Sequence, residues 1–139
     1  MSVDFLDTNI LLYHLDDSEP RKHLIARGII ESALATGDAC ISFQVVQECL
    51  NAGLRKARIP MTPATARDYL DVVLAPLWRV MPSPELYQRG IDIQERYGFS
   101  FYDALIVSAA LQSGCRRLYS EDLQHGQKLD RLIVHNPFR

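Results

Sequence analysis

Val3-Asp4-Phe5-Leu6-Asp7-Thr8-Asn9 is the stretch whose reading decides the fold. Val3, Phe5 and Leu6 are strand-favouring apolar residues, and the strand they predict stops at Asp7. Ile10-Leu11-Leu12-Tyr13 then reads as the start of a helix. A strand that passes through Asp-Thr-Asn into a helix opens an α/β unit. An acid at the carboxyl end of such a strand sits where open α/β sheets place their ligands.

Outward from this stretch, helices and strands alternate. Pro20, suited to a first helical turn, opens a helix to about Thr36. Its apolar face is Ile25, Ile29 and Ala33 with Ala26, Ile30 and Leu34, and Gly37-Asp38 ends it. Ala39 to Phe43 is a short strand, and the helix after it, about Gln44 to Ala57, carries Val46, Leu50, Leu54 and Ala57 on one face. Thr62 caps and Pro63 begins a further helix that Pro76 stops. Trp78 to Met81 is a third strand, and Ser83 caps a helix from Pro84 to about Tyr97, closed by Gly98.

From Tyr102 to Gln112 the chain is apolar on nearly every side, which predicts a buried helix. Arg117 to Ser120 and Leu132 to His135 complete a set of about five strands. The alternation implies a single α/β domain over residues 1–139: a mostly parallel sheet covered by helices on both faces, in three α/β/α layers.

Bulk composition excludes more than it assigns. An apolar fraction of 47% and a charged fraction of 23% are those of a globular protein. A formal net charge of −2 gives no global basic field to advertise nucleic-acid binding, so any such function must come from a local site. Cys40, Cys49 and Cys115 are odd in number and lack metal-ligand spacing, which suits a reducing compartment and small buried side chains. His14, His23, His125 and His135 show no zinc-like pairing. The acids at Asp4 and Asp7 break any signal-peptide pattern, and Ala104 to Leu111 is too short to span a bilayer, so the expectation is a cytoplasmic protein with no membrane partner.

Four acids stand out. Asp7 ends the first strand, where a helix N-cap would explain it as well as a site would. Glu48 lies about one turn into its helix, where a solvated carboxylate is favourable in itself. Asp103 fits a capping box with Ser100, yet opens a helix that reads as buried all round, where a carboxylate is costly without a cation or donors. Asp122 follows the fourth strand in a stretch that a surface turn would explain equally, with Glu121 a rival. If the first and fourth strands are neighbours, all four acids meet where strand order reverses. Carboxylates so packed repel, and a hard divalent cation relieves them; oxygen ligands select Mg²⁺ or Mn²⁺ over zinc.

Phe5-Leu6-Asp7-Thr8-Asn9, Ser42-x-Gln44-x-x-x-Glu48, Phe101-Tyr102-Asp103-Ala104-Leu105-Ile106 and Ser120-Glu121-Asp122-Leu123 resemble, in order, the acidic motifs of PIN-domain ribonucleases. Chain length and the run on to Gln124-His125-Gly126 most resemble the VapC toxin subfamily. The resemblance implies that Asp7, Glu48, Asp103 and Asp122 hold Mg²⁺ or Mn²⁺, Asp7 and Asp103 most directly. Thr8 or Asn9, with Ser120, would support the first acid through hydrogen bonds. Where the family often carries a further acid, two residues after Asp122, this chain has Gln124.

The activity so implied is endoribonuclease hydrolysis of single-stranded or loop RNA by metal-activated water, leaving a 5′-phosphate and a 3′-hydroxyl. The implied partners are a second copy of the chain and a cognate antitoxin whose tail covers the active site. Arg55, Lys56, Arg58, Arg116 and Arg117 are the candidate RNA contacts, with solvated surface charge as the plainer reading. The competing functions are a catalytically silent PIN-like interaction module and a metal phosphatase. The Asp-x-Asp-x-Thr loop of many phosphatases is absent from Asp7-Thr8-Asn9-Ile10-Leu11.

Overall fold

The computed structural model describes residues 3–55 and 61–139. Its first half runs β1 (Asp4–Leu6), α1 (Thr8–Leu15), α2 (Pro20–Thr36), β2 (Ala39–Ser42) and α3 (Phe43–Arg55). Then come α4 (Pro63–Tyr69), a π-helical turn (Leu70–Leu74), α5 (Ala75–Leu77), β3 (Trp78–Val80) and α6 (Pro84–Tyr97). The last elements are α7 (Phe101–Gln112), β4 (Arg117–Tyr119), β5 (Lys128–Leu129) and β6 (Leu132–His135).

One six-stranded sheet has the order β3-β2-β1-β4-β6-β5. β1 pairs in parallel with β2 on one side and β4 on the other, so strand order reverses at β1, beside Asp7. β2 pairs with β3 and β4 with β6, also in parallel. Phe5, Leu6, Cys40, Ile41 and Leu118 in these central strands are fully buried, as apolar runs in a sheet covered on both faces should be.

The sheet has six strands where about five were expected. The extra one, Lys128–Leu129, runs antiparallel to β6 through a tight turn at Asp130, which takes a left-handed φ of 60°. Two residues are too few to show a strand period, and Asp-Arg is not one of the dipeptides that mark hairpin turns.

The helix after Pro63 also departs from expectation, because Pro76 does not stop it. The backbone widens at Leu70–Leu74, where the Ala75 N–H donates to the Leu70 carbonyl, and then continues to Leu77. A wider turn opens the ladder just ahead of a ring that would otherwise meet the carbonyl four residues back.

α7 meets the reading of a buried helix: every residue from Ala104 to Leu111 is buried. It lies against α6 closely enough that a Cβ on Gly90 would stand 2.7 Å from Leu105 Cδ2. Ser108, the one polar side chain in that buried run, donates to the Leu86 carbonyl at 2.8 Å. Ala26, Ile30 and Ala33 bury the inner face of α2, while Leu34 stays 38% exposed at its margin. In α3 the buried set is Gln44, Val45, Val46, Cys49, Ala52 and Gly53, with Leu54 largely exposed, so that face is rotated from the expected one. Ala57 lies outside the described residues.

Candidate active site

β1 delivers Asp7 to the point where strand order reverses. Asp7 caps α1, its Oδ1 accepting the Thr8 N–H at 2.7 Å, so the structural role weighed for it is real. That bond occupies one oxygen. The other accepts the Ser120 hydroxyl at 2.7 Å, and Ser120 lies just beyond β4. The same Ser120 oxygen receives the Asp122 N–H at 3.1 Å. One buried hydroxyl therefore ties the first acid to the loop that carries the last.

Thr8 and Asn9 do not place their side chains on Asp7. The Thr8 hydroxyl donates to Glu48 Oε1 at 2.6 Å, and the Asn9 amide donates to Asp122 Oδ2 at 3.2 Å. Asn9 also accepts the Glu121 N–H at 3.3 Å, gripping the loop after β4 at two points. Glu121 faces away: Tyr13 and Lys22 each donate to it at 2.6 Å. Of the two adjacent acids, Asp122 is therefore the one on the site side.

Glu48 lies in the second turn of α3, not the first, because the helix begins at Phe43. Neighbours rather than a helix terminus orient it. Besides the Thr8 bond, the Gln44 amide reaches Glu48 Oε2 at 3.4 Å and the Tyr102 carbonyl at 3.1 Å. Gln44 is itself buried, and through it the start of α3 is fastened to the start of α7. Gln44 belongs to the motif that ends in Glu48 but was not among the expected site residues; its signal is a polar residue one turn before Glu48, on the face of α3 that turns inward.

Asp103 occupies the first turn of α7, where its N–H donates to the Ser100 hydroxyl at 3.2 Å. The burial expected there is only partial. Phe101 and Tyr102 are exposed and Asp103 is half-buried, because the first turn of α7 projects from the core before Ala104 enters it.

The electrostatics centre on Asp7. Burial pushes its carboxyl up to about 7, the hydrogen bonds from Ser120 and Thr8 pull the other way, and the charges of Asp122 and Glu48 push it up further. The hydrogen-bond partners of Asp7, Glu48 and Asp122 named above are all neutral. Among the described residues Lys22 pairs with Glu121 and Glu19, and Arg117 with Asp4, while Arg55 borders a groove beside Glu48.

Among the described residues no three acidic, histidine or cysteine side chains converge tightly enough to form a ready-made metal cage. The arrangement is one buried carboxylate, Asp7, with Glu48 and Asp122 near enough for their charges to act on it, while the bond described for Asp103 is the one to Ser100.

The basic candidates separate. Arg55 is exposed at the end of α3 and borders a groove that includes Thr8 and Glu48. Arg117 holds Asp4 through two bonds of 2.6 and 3.0 Å, and Arg116 precedes it. Both stand at the start of β4, the opposite end of the strand from Ser120, so the structure does not bring them to the carboxylates. Lys56 and Arg58 lie outside the described residues. No helix among the described residues is long and apolar enough to cross a membrane.

No curated protein matches the chain by sequence. Among solved structures it is similar to a DNA-bound VapBC from Salmonella typhimurium, with a TM-score of 0.71, 16% identity and 99% of each chain covered. It is similar to FitAcB from Neisseria gonorrhoeae, with a TM-score of 0.68, 16% identity, and 97% of this chain and 98% of that one covered. It is also similar to VapC20 from Mycobacterium tuberculosis, a sarcin-ricin loop cleaving toxin, with a TM-score of 0.66 and 19% identity over 86% of this chain and 89% of that one. Identities this low speak for the fold. A family model described as PIN domain matches residues 5–129, a span that takes in all four acids, and the chain belongs to the PIN-domain family.

Proposed function

We propose that this protein is a metal-dependent endoribonuclease, the toxin of a toxin-antitoxin pair. The observation that carries the reading is Asp7: a buried carboxylate at the strand-order reversal, held by neutral donors and near enough to Glu48 and Asp122 for their charges to act on it. Uncompensated buried charge is costly, and an oxygen-only set of this kind fits Mg²⁺ or Mn²⁺. Mg²⁺ keeps several waters and needs only one or two carboxylates directly, which agrees with one buried acid and two others near it.

Asp7, Glu48, Asp103 and Asp122 are the residues that would hold the ion. When bound, it would neutralise charge on the scissile phosphate and lower the pKa of a water. The chain's own part is positioning. Ser120 fixes Asp7 and the Asp122 backbone together, Asn9 aims Asp122, and Thr8 with Gln44 aims Glu48. In the overall hydrolysis a water oxygen bonds to phosphorus and the bond to the 3′-oxygen breaks, leaving a 3′-hydroxyl and a 5′-phosphate. The structural relatives that are VapBC complexes support an antitoxin as partner, and a toxin subunit of this type would pair as a homodimer in the cytoplasm.

The test is RNA cleavage by purified protein with Mg²⁺, with Mn²⁺ and with EDTA, beside Asp7→Asn and Asp103→Asn. Cleavage that needs both the metal and Asp7, with 5′-phosphate ends, is the expected result. The competing reading is a catalytically silent interaction module. Intact RNA across several RNA classes and both metals would establish that reading instead.

A further inference from the structure

Beside the carboxylates, α3 borders a groove of about 430 Å³ lined by Thr8, Leu12, Glu48, Asn51, Ala52 and Arg55. Asn51 and Ala52 lie three and four residues after Glu48, and Arg55 lies four and three residues after them, so the four form a single stripe along the helix. Arg55 stands roughly 10 Å beyond Glu48 along the axis, at 1.5 Å per residue. The groove is chemically graded. A carboxylate marks one end and a guanidinium the other, with the apolar Leu12 and Ala52 and the amide of Asn51 between them. Ala52 is buried, whereas Asn51 and Arg55 are exposed to an incoming ligand.

We propose that this groove seats one nucleotide of the RNA strand next to the scissile phosphate, an assignment that rests on the nuclease reading above. The base lies on Leu12 and Ala52, the Asn51 amide hydrogen-bonds its edge, and the Arg55 guanidinium holds the neighbouring phosphate. The size is within the range of small-ligand clefts. Asn offers one acceptor and two donors in a plane, which suits the edge of an unpaired base. Arg matches a phosphate through paired N–H bonds. RNA is favoured over a peptide because the groove opens directly from Glu48 and Thr8, within the candidate catalytic cluster. Its cation also stands where the strand would present its next phosphate. Asn51 is thereby a specificity-determining residue and Arg55 an affinity-determining one.

The experiment measures fluorescence anisotropy of short end-labelled oligo-A, oligo-C, oligo-G and oligo-U RNAs in EDTA, so that binding is read without turnover. Metal-supported cleavage is followed separately. Arg55→Ala should weaken binding about tenfold for all four RNAs and lower the slope of log affinity against log salt by about one. Arg55→Lys should recover part of the loss. Asn51→Ala should level the preference among the four RNAs while their mean affinity stays within about threefold of wild type, since a base contact carries discrimination rather than bulk affinity. Arg89→Ala, exposed on α6, should change neither quantity.

Wild type that binds and cuts RNA while Arg55→Ala and Asn51→Ala behave identically to it would overturn the groove assignment and leave the nuclease standing. Loss of a partner protein's binding in those variants, with RNA binding untouched, would reassign the groove to protein. Wild type that neither binds nor cuts any RNA would overturn both readings together.

Discussion

Replacing Asp7 with asparagine should make the metal-free protein more stable at alkaline pH while abolishing the proposed activity. Burial holds the Asp7 carboxyl at about 7 in the folded protein against a reference of 3.8. The folded state therefore keeps a proton on Asp7 after the unfolded chain has released its own. The sign follows: Asp7 does not destabilise the fold below the unfolded value, and stability falls as pH rises towards the folded value and stays low above it. A shift of about three units corresponds to about 4 kcal/mol at 1.36 kcal/mol per unit. Asparagine keeps the shape and one acceptor for the Thr8 N–H, but its amide meets the Ser120 hydroxyl as a donor. That hydroxyl must turn, at a cost of about 1 kcal/mol.

The net gain for Asp7→Asn in EDTA is then about 3 kcal/mol near pH 8, shrinking to below about 1 kcal/mol near pH 5. Urea unfolding of both proteins at the two pH values, followed by circular dichroism, reads this directly. Added Mg²⁺ should stabilise wild type and narrow the gap, because a ligand of the native state adds to its stability. An asparagine variant less stable than wild type near pH 8, or a gap that does not change with pH, would refute the reasoning.

Ser120→Ala removes the hydroxyl shared by Asp7 and the Asp122 backbone, so it should lower stability by about 1–3 kcal/mol and reduce RNA cleavage at least tenfold, read by urea midpoint and single-turnover rate. Gly90→Ala places a methyl 2.7 Å from Leu105 Cδ2 in the α6–α7 contact and should cost about 1–3 kcal/mol in urea unfolding. Ser108→Ala leaves the Leu86 carbonyl without its side-chain donor and should cost about 1 kcal/mol by the same measurement. Cys40, Cys49 and Cys115 are all buried, and burial pushes the Cys49 thiol up to about 12. An aromatic disulfide reagent near neutral pH should therefore label none of them until the protein unfolds.

Much of this architecture was legible because its signals are local. The caps at Thr62, Ser83 and Ser100, the left-handed glycines Gly37 and Gly98, and the all-apolar run of α7 each announce themselves within a few residues. β5 did not, since two residues at an edge carry no period. The π turn before Pro76 was hidden because the rule for proline reads one helix at a time, while Leu74 and Leu77, both fully packed in the core, hold the segment helical.

The site divides in the same way. The order of the acids is written in the sequence, but the partners of each are not. Thr8 serves Glu48 rather than Asp7, and Asn9 serves Asp122, through contacts spanning 40 and 113 residues that no local pattern encodes. The pairing of Arg117, a candidate RNA contact with solvated charge as the plainer reading, was not legible locally. Its partner, Asp4, lies 113 residues away and becomes its neighbour only when β1 and β4 pair.

The bond between Ser120 and Asp7 carries a consequence for synthesis on the ribosome. β4 is made after β1, and the contact closes across 113 residues. Closing so long a loop is slow compared with forming helices, and the closing segment does not exist when β1 is made. In every nascent chain that stops short of Ser120, Asp7 lacks its hydroxyl donor and Asp122 has not been made. The site proposed above would therefore be incomplete until residues 120–122 had been made and β4 had paired with β1.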